Sequence, residues 1–197
     1  MMKVLNLYSG IGGNRKLWKN IDATAVENNY EIAEIYKHHY PNDNVVIDDS
    51  IRFLAENYKQ YDFIWSSPPC QTHSRIRFAS SKRGSYLPKV PNLMLYEQIL
   101  FLKHYYNGLW VVENVIPFYV PLIEPTIKIN RHLFWSNFNI DEIKIDDRKS
   151  NTISGGDKLY GYDLSQFETT MRKDQILRNM FNPILGKHIL DSALATM

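Results

Sequence analysis

Two residues carry reactive groups at places where a fold can aim them, Cys70 and Glu113. Cys70 ends the run Phe63-Ile64-Trp65-Ser66-Ser67-Pro68-Pro69-Cys70, in which strand-forming residues give way to two small residues and two prolines. The prolines disfavour helix at the residues before them and remove two backbone donors, so the chain leaves the strand as a stiff extended turn. Glu113 closes a second strand-like run, Leu109-Trp110-Val111-Val112. At adjacent strand ends of an open α/β sheet, a thiol and a carboxyl become a nucleophile and an acid aimed into one crevice. Taken singly, a free cysteine is usually a small buried hydrophobe and such a glutamate a solvated charge.

The elements needed to position this pair are legible as alternating strand and helix patterns. Lys3 to Tyr8, Thr24 to Val26, Val45 to Ile47, Asp62 to Trp65 and Leu109 to Val112 read as strands. Between them, a helix containing Leu17 and Trp18, another over Tyr30 to His39, and a third capped by Ser50 are expected. Leu93 to Tyr105 has a helical apolar pattern, Ile127 to Phe138 reads as further strand or a hairpin, and Lys173 to Leu194 as helix broken near Pro183. Such alternation predicts a doubly wound, mostly parallel sheet.

With 197 residues, 44% hydrophobic and 22% charged, the chain suits a single globular domain. No apolar run approaches the roughly 20 residues that span a bilayer, and Met1 to Leu7 lacks the look of a signal peptide, so a cytoplasmic protein without membrane partners is expected. One cysteine makes neither an internal disulfide nor a zinc site, and no metal is expected. The net charge of +2 is unevenly spread: Arg75, Arg77, Lys82, Arg83 and Lys89 fall between Gln71 and Tyr96 without one acid. A basic segment beside the cysteine suits either a polyanion or a solvated loop.

The first loop, Ser9-Gly10-Ile11-Gly12-Gly13, lacks the dinucleotide spacing, yet its glycines allow close backbone approach to a ligand. Glu27, after the second strand, suits two ribose hydroxyls, and Asp49, after the third, an adenine amino group; the commoner role of such an acid, taken singly, is a charge at a helix N-terminus. Three strand ends in succession favour an adenosine-containing cofactor.

In order, the motifs resemble the S-adenosylmethionine-dependent DNA cytosine-5 methyltransferases. Leu5 to Gly13 is similar to that family's cofactor loop, Glu27 with Tyr40-Pro41-Asn42 and then Asp48-Asp49 to its next cofactor elements, and Pro68-Pro69-Cys70-Gln71 to its nucleophile loop. Glu113-Asn114-Val115 is similar to the catalytic-acid motif, and Arg178-Asn179-Met180-Phe181-Asn182-Pro183 to the closing helix. The resemblance implies a Rossmann-like α/β fold of the class I methyltransferase type, with a core over 1–138, a much reduced target-recognition region over 139–177 and a helical return over 178–197. It implies S-adenosylmethionine against Tyr8, Ser9, Gly10, Gly12, Gly13, Glu27, Asn28, Asp49, Ser50, Pro69 and Asn179. Cys70 would add to carbon 6 of cytosine while a protonated Glu113, its pKa raised, serves ring nitrogen 3; basic surroundings would favour the Cys70 thiolate. Double-stranded DNA, its target base flipped out, would be held by Gln71, Ser74, Arg75, Arg77, Lys82 and Arg83, the segment from Thr72 to Pro91 forming a mobile closing loop.

Two departures stand out. The family's Gln-x-Arg-x-Arg element, whose last arginine holds the flipped base, is here Lys128-Ile129-Asn130-Arg131-His132, so either Arg131, through a local bulge, or His132 takes that role. The recognition region, where Lys149, Asn151, Thr152, Lys158 and Tyr160 are candidates to face DNA, is short. That implies a short target or help from a second copy of the chain, and a phage-like protein acting in a bacterial or phage-infected cell. Rival readings are the same chemistry on RNA, or a catalytically weak DNA-binding protein that keeps the fold.

Overall fold

The computed structural model describes residues 1–145 and 158–197. Lys149, Asn151, Thr152 and Ser154-Gly155-Gly156 lie outside the described residues.

Seven strands form one sheet: β1 (Met2–Leu7), β2 (Ile21–Val26), β3 (Asn44–Val46), β4 (Phe63–Ser66), β5 (Leu109–Val115), β6 (Ile127–Ile129) and β7 (His132–Ser136). Their spatial order is β3-β2-β1-β4-β5-β7-β6, with the first five parallel and β7 antiparallel to both neighbours. The order reverses beside β1, where β4 rather than β3 is the second neighbour. The carboxyl ends of β1 and β4 therefore flank the crevice in which such sheets bind ligands.

Side-chain alternation feeds two cores. Val4, Phe63, Trp65, Val111 and Phe134 point to one face, and Leu5, Leu7, Ile64, Val112 and Leu133 to the other. The first face is covered by α6 (Pro183–Leu194) through Leu185, Ile189 and Leu190. The second is covered by α2 (Ser50–Asn57) and α4 (Met94–Tyr105) through Leu54, Leu95, Ile99 and Leu102. Burial on both faces explains why these strands read as continuous apolar runs. In a third cluster, Ile32 and Ile35 of α1 (Tyr30–His39) meet Ile176 and Leu177 of α5 (Lys173–Asn179). The hairpin β8 (Lys158–Leu159) and β9 (Tyr162–Asp163) joins that cluster through Leu159 and Tyr162. Its turn residues Tyr160 and Gly161 both have positive φ (50° and 78°), the backbone that a two-residue hairpin loop requires.

Four expectations need correction. No helix holds Leu17 and Trp18; Asn14–Leu17 is a single 3-10 turn, after which Asn20 turns the chain at φ 56°. Helix α6 packs closely on the start of that turn: a Cβ on Gly186 would come within 2.5 Å of the Asn14 carbonyl oxygen. The cap of α2 is Asp49, whose Oδ1 accepts from the amides of Ile51 (3.0 Å) and Arg52 (2.9 Å); Ser50 is the first helical residue. The basic segment is not all loop, since Arg75–Lys82 forms α3, a helix with no buried residue. Finally, β6 and β7 pair in unbroken register with Asn130 and Arg131 as the turn, so there is no bulge at Arg131.

Candidate active site

Beyond Ser66 the chain leaves the sheet with each step fixed. The Trp65 indole donates to Ser67 Oγ (2.8 Å), Pro68 is buried, and the Pro68 carbonyl accepts from Asn114 Nδ2 at 2.9 Å. The Cys70 carbonyl then accepts from the amides of His73 (3.0 Å) and Ser74 (3.1 Å), turning the chain into α3. Asn114, buried on β5 directly after Glu113, thus ties that strand to the loop that carries Cys70. Sequence reasoning noted Asn114 only as part of a motif; its role depends on strand alternation, which points it away from Glu113 and toward the loop.

Cys70 is half-buried, and its thiol is pushed up to about 11, first by burial and then by the charge of Glu113, with Arg131 acting in the opposite sense. This corrects the expectation that basic surroundings favour the thiolate. Burial disfavours the charged sulfur and the Glu113 charge adds to that, together outweighing the opposing effect of Arg131.

Glu113 is buried and its Oε1 lies 2.5 Å from His132 Nδ1. The two belong to the same face of the β5–β7 pair, one step apart diagonally, since Glu113 is opposite Phe134 and Val115 opposite His132. His132 Nε2 accepts from Arg131 Nε at 3.4 Å. The result is a line from exposed Arg131 through buried His132 to Glu113, and the His132 ring rests edge-on against Phe181 (5.2 Å).

At the end of β1, Tyr8 and Gly10 both take left-handed backbone (φ 54° and 53°), which turns Ser9 and Gly10 across the strand end. The Gly10 amide donates to Glu27 Oε2 (3.1 Å) and the Asn29 amide to Glu27 Oε1 (3.0 Å). Burial raises the Glu27 pKa against those backbone bonds, while Asn28 beside it is exposed. Ser50 Oγ accepts from the Tyr8 amide (3.2 Å), and Gln98 Nε2 donates to the Tyr8 hydroxyl (2.9 Å). Asp49 is exposed and uses Oδ1 as a helix cap.

The glycines divide the loop into a front and a back. A Cβ on Gly10 would meet nothing within 4 Å, whereas one on Gly12 would lie 2.3 Å from Tyr40 and 2.8 Å from Tyr36. One on Gly13 would lie 2.3 Å from Met180 and 2.4 Å from the Phe181 carbonyl oxygen. On their Cβ side, Gly12 and Gly13 thus permit close approach to this protein's own atoms, the Tyr40 and Tyr36 rings and the Met180 side chain and Phe181 backbone. Tyr40 and Tyr162 both donate to the Gly12 carbonyl (2.9 and 2.8 Å), fastening the β8–β9 hairpin to the back of the loop. At the front, Ser9 Oγ is buried with no hydrogen-bond partner among the described residues. An orphaned hydroxyl next to an open glycine is what a polar ligand would complete.

Of the basic residues, Arg75 donates through Nε to the Pro117 carbonyl (2.9 Å), which gives it a structural task. Ser74 is the N-cap of α3 without a side-chain cap bond, and Gln71, Lys82 and Arg83 are exposed. Arg77 lies over the Tyr86 ring (5.1 Å), and its Nε is buried without a partner among the described residues. Pro69 is exposed beside Cys70, and Asn179 is exposed at the end of α5 next to Met180, the residue packed on Gly13. Tyr160 accepts from Asn182 Nδ2 (3.1 Å). Among the described residues no helix is long and apolar enough to cross a membrane, and no cluster of three metal-ligating side chains occurs.

Comparison with known proteins bears on this arrangement. Residues 2–117 match the family described as C-5 cytosine-specific DNA methylase. Over 80 residues, 37% of this chain, there is 36% identity to a Spodoptera frugiperda tRNA (cytosine(38)-C(5))-methyltransferase, covering 24% of that protein. A Mus musculus protein of the same description is 34% identical over 82 residues, covering 38% of this chain and 20% of that one. The match thus spans a quarter or less of these relatives. Among solved structures, that of a Spodoptera frugiperda DNMT2 mutant aligns with 32% identity and a TM-score of 0.43 over 58% of this chain and 36% of that one.

Proposed function

This chain belongs to the C-5 cytosine-specific DNA methylase family, and on that premise we propose that it transfers a methyl group from S-adenosylmethionine to carbon 5 of cytosine in DNA. The observation that carries the reading is the coupling of Cys70 to Glu113, a thiol and a carboxyl held at neighbouring strand ends by the Asn114–Pro68 bond. S-adenosylmethionine, the family's methyl donor, supplies an electrophilic methyl group when bound. Ser9, Gly10 and Tyr8 would hold it at the front of the loop, Glu27 at the ribose, Asp49 and Asn28 at the adenine, and Pro69 and Asn179 at the edges. Gly12, Gly13 and Ser50 support that cradle from behind.

Cytosine is too poor a nucleophile at carbon 5 to accept a methyl group unaided. The Cys70 sulfur adds to carbon 6 as its proton passes by way of Glu113 to ring nitrogen 3, so charge is conserved and carbon 5 gains enamine character. After methylation, loss of the carbon-5 proton and expulsion of the sulfur restore the ring and the free thiol. His132 holds Glu113 in place through its Nδ1, at the position where the family's element has its last arginine. Arg131, exposed on the turn, reaches the base or its phosphate. A base inside a duplex cannot present carbon 6 to a sulfur, so the target must be flipped out.

The second reading is the same reaction on RNA, favoured by the tRNA methyltransferases that the chain resembles over 80 and 82 residues. Incubation with S-adenosylmethionine carrying a labelled methyl group, with duplex DNA and tRNA as separate acceptors, tests both. Label in 5-methylcytosine of DNA supports the first reading and label in tRNA alone the second. Label in neither removes the enzyme reading in favour of a nucleic-acid-binding protein.

A further inference from the structure

We propose that the cleft beside α3 binds the nucleotide adjacent to the target cytosine, with its base unstacked from the strand. The proposal rests on the function above and adds a feature of the substrate that the site recognises. The cleft has a volume of about 290 Å³, near the lower end of small-molecule pockets, roughly 300 Å³. Phe78, Phe118 and Pro88 form its apolar wall, and Arg77, Lys82 and Lys89 bring cations to it. Between Gln71 and Tyr96 the chain itself supplies no carboxylate to offset that charge. A flat ring carrying a phosphate satisfies both the wall and the cations.

The wall is preformed. The Phe78 and Phe118 rings stack with centroids 4.4 Å apart and planes 2° from parallel, giving a rigid aromatic platform. Lys82 Nζ lies 5.5 Å from the Phe78 centroid, where an incoming base would displace it toward the phosphate. The helix that carries Phe78 buries none of its residues, so this aromatic surface does not serve the core. Gln71 and Thr72 also line the cleft and directly follow Cys70 in the chain. A strand that delivers one base to the sulfur therefore carries its neighbour to the platform.

Two successive nucleotides must then leave the stack, which costs least in a single strand or a loop. The ligand is a polynucleotide, and the sugar is left to the test. Short oligonucleotides with one cytosine, and with an adenine or an abasic residue on its 5′ or its 3′ side, are made as single-stranded RNA, single-stranded DNA and duplex DNA. Binding of each to the wild type and to Phe78→Ala is measured by fluorescence anisotropy, beside methyl transfer by the wild type. The expected result is a loss of about tenfold for Phe78→Ala when the neighbouring base is present on one side. With the abasic residue on that side the loss should vanish, and single strands should bind more tightly than the duplex. Coupling on RNA alone or DNA alone assigns the sugar; coupling on both leaves the cleft indifferent to it. A Phe78→Ala effect that ignores the neighbouring base, with methyl transfer intact in the wild type, overturns the cleft alone. A wild type that neither binds nor methylates any of the oligonucleotides overturns the function along with it.

Discussion

The two sides of the crevice are built differently. On the cofactor side, Gly12 and Gly13 are filled by Tyr40, Tyr36 and Met180, and both Glu27 oxygens accept backbone amides. Tyr40 and Tyr162 converge on one carbonyl. On the side proposed to meet nucleic acid, α3 buries nothing, Ile76, Leu87 and Val90 are at least 80% exposed, and Arg77 Nε has no partner among the described residues. The first side is braced from behind by this chain's own side chains, with Ser9 Oγ left for a ligand to complete, while the second has few contacts of its own. A rigid cradle suits a small cofactor, and an open, cationic wall suits a polymer that must be distorted to fit.

Substitutions sharpen this contrast, beginning with the acid that faces both sides. Glu113→Gln should lower methyl transfer by about 10²–10⁴-fold and leave S-adenosylmethionine binding within twofold, measured by calorimetry. An equal loss of cofactor binding would place Glu113 in the cradle instead. Gly12→Ala should destabilise the fold by roughly 3 kcal/mol, summing left-handed strain and overpacking against Tyr40. Gly84→Ala, at φ 77° but with nothing within 4 Å of a Cβ, should cost only about 1 kcal/mol. Similar falls in melting temperature for the two variants would erase the difference between the sides.

Electrostatics gives the next test. Arg77→Gln combined with Lys82→Gln should weaken binding to duplex DNA and reduce the slope of log affinity against log salt by about 2. Arg75→Gln, which loses a bond to the Pro117 carbonyl, should act more on stability than on that slope. The smallest effect is the reactivity of Cys70. Its raised pKa disfavours the thiolate, so alkylation by iodoacetamide should be slow at pH 7–8 and accelerate as pH rises toward about 11. A rate already at its plateau at pH 8 would show a thiolate held by cations, contrary to the burial and the Glu113 charge.

How much was legible in the sequence follows the same division. Strand ends were readable because apolar runs stop at glycine, proline or acid, as Phe63-Ile64-Trp65 does before Pro68. Those ends sufficed to bring Cys70 and Glu113 together. Less readable was anything decided by partners distant in sequence. Tyr40 and Met180 lie against Gly12 and Gly13, and Gly186 lies against Asn14 at the start of the 3-10 turn, contacts between residues far apart in the chain. Helix α3 escaped notice because Arg75-Ile76-Arg77-Phe78 alternates charged and apolar residues and has no core face to impose a helical period. The cap of α2 falls on Asp49, one residue before the expected Ser50, because capping is decided within one residue of sequence by backbone geometry.

The central claim, that the Cys70 sulfur adds to a cytosine, is tested most directly by trapping. Fluorine at carbon 5 cannot leave as a proton does, so the sulfur–carbon bond persists after methyl transfer. With S-adenosylmethionine and DNA or RNA containing 5-fluorocytosine, the wild type should form an adduct that survives denaturing electrophoresis, and Cys70→Ala should form none. Absence of an adduct on every such nucleic acid, with Cys70→Ala indistinguishable from the wild type, would contradict the account.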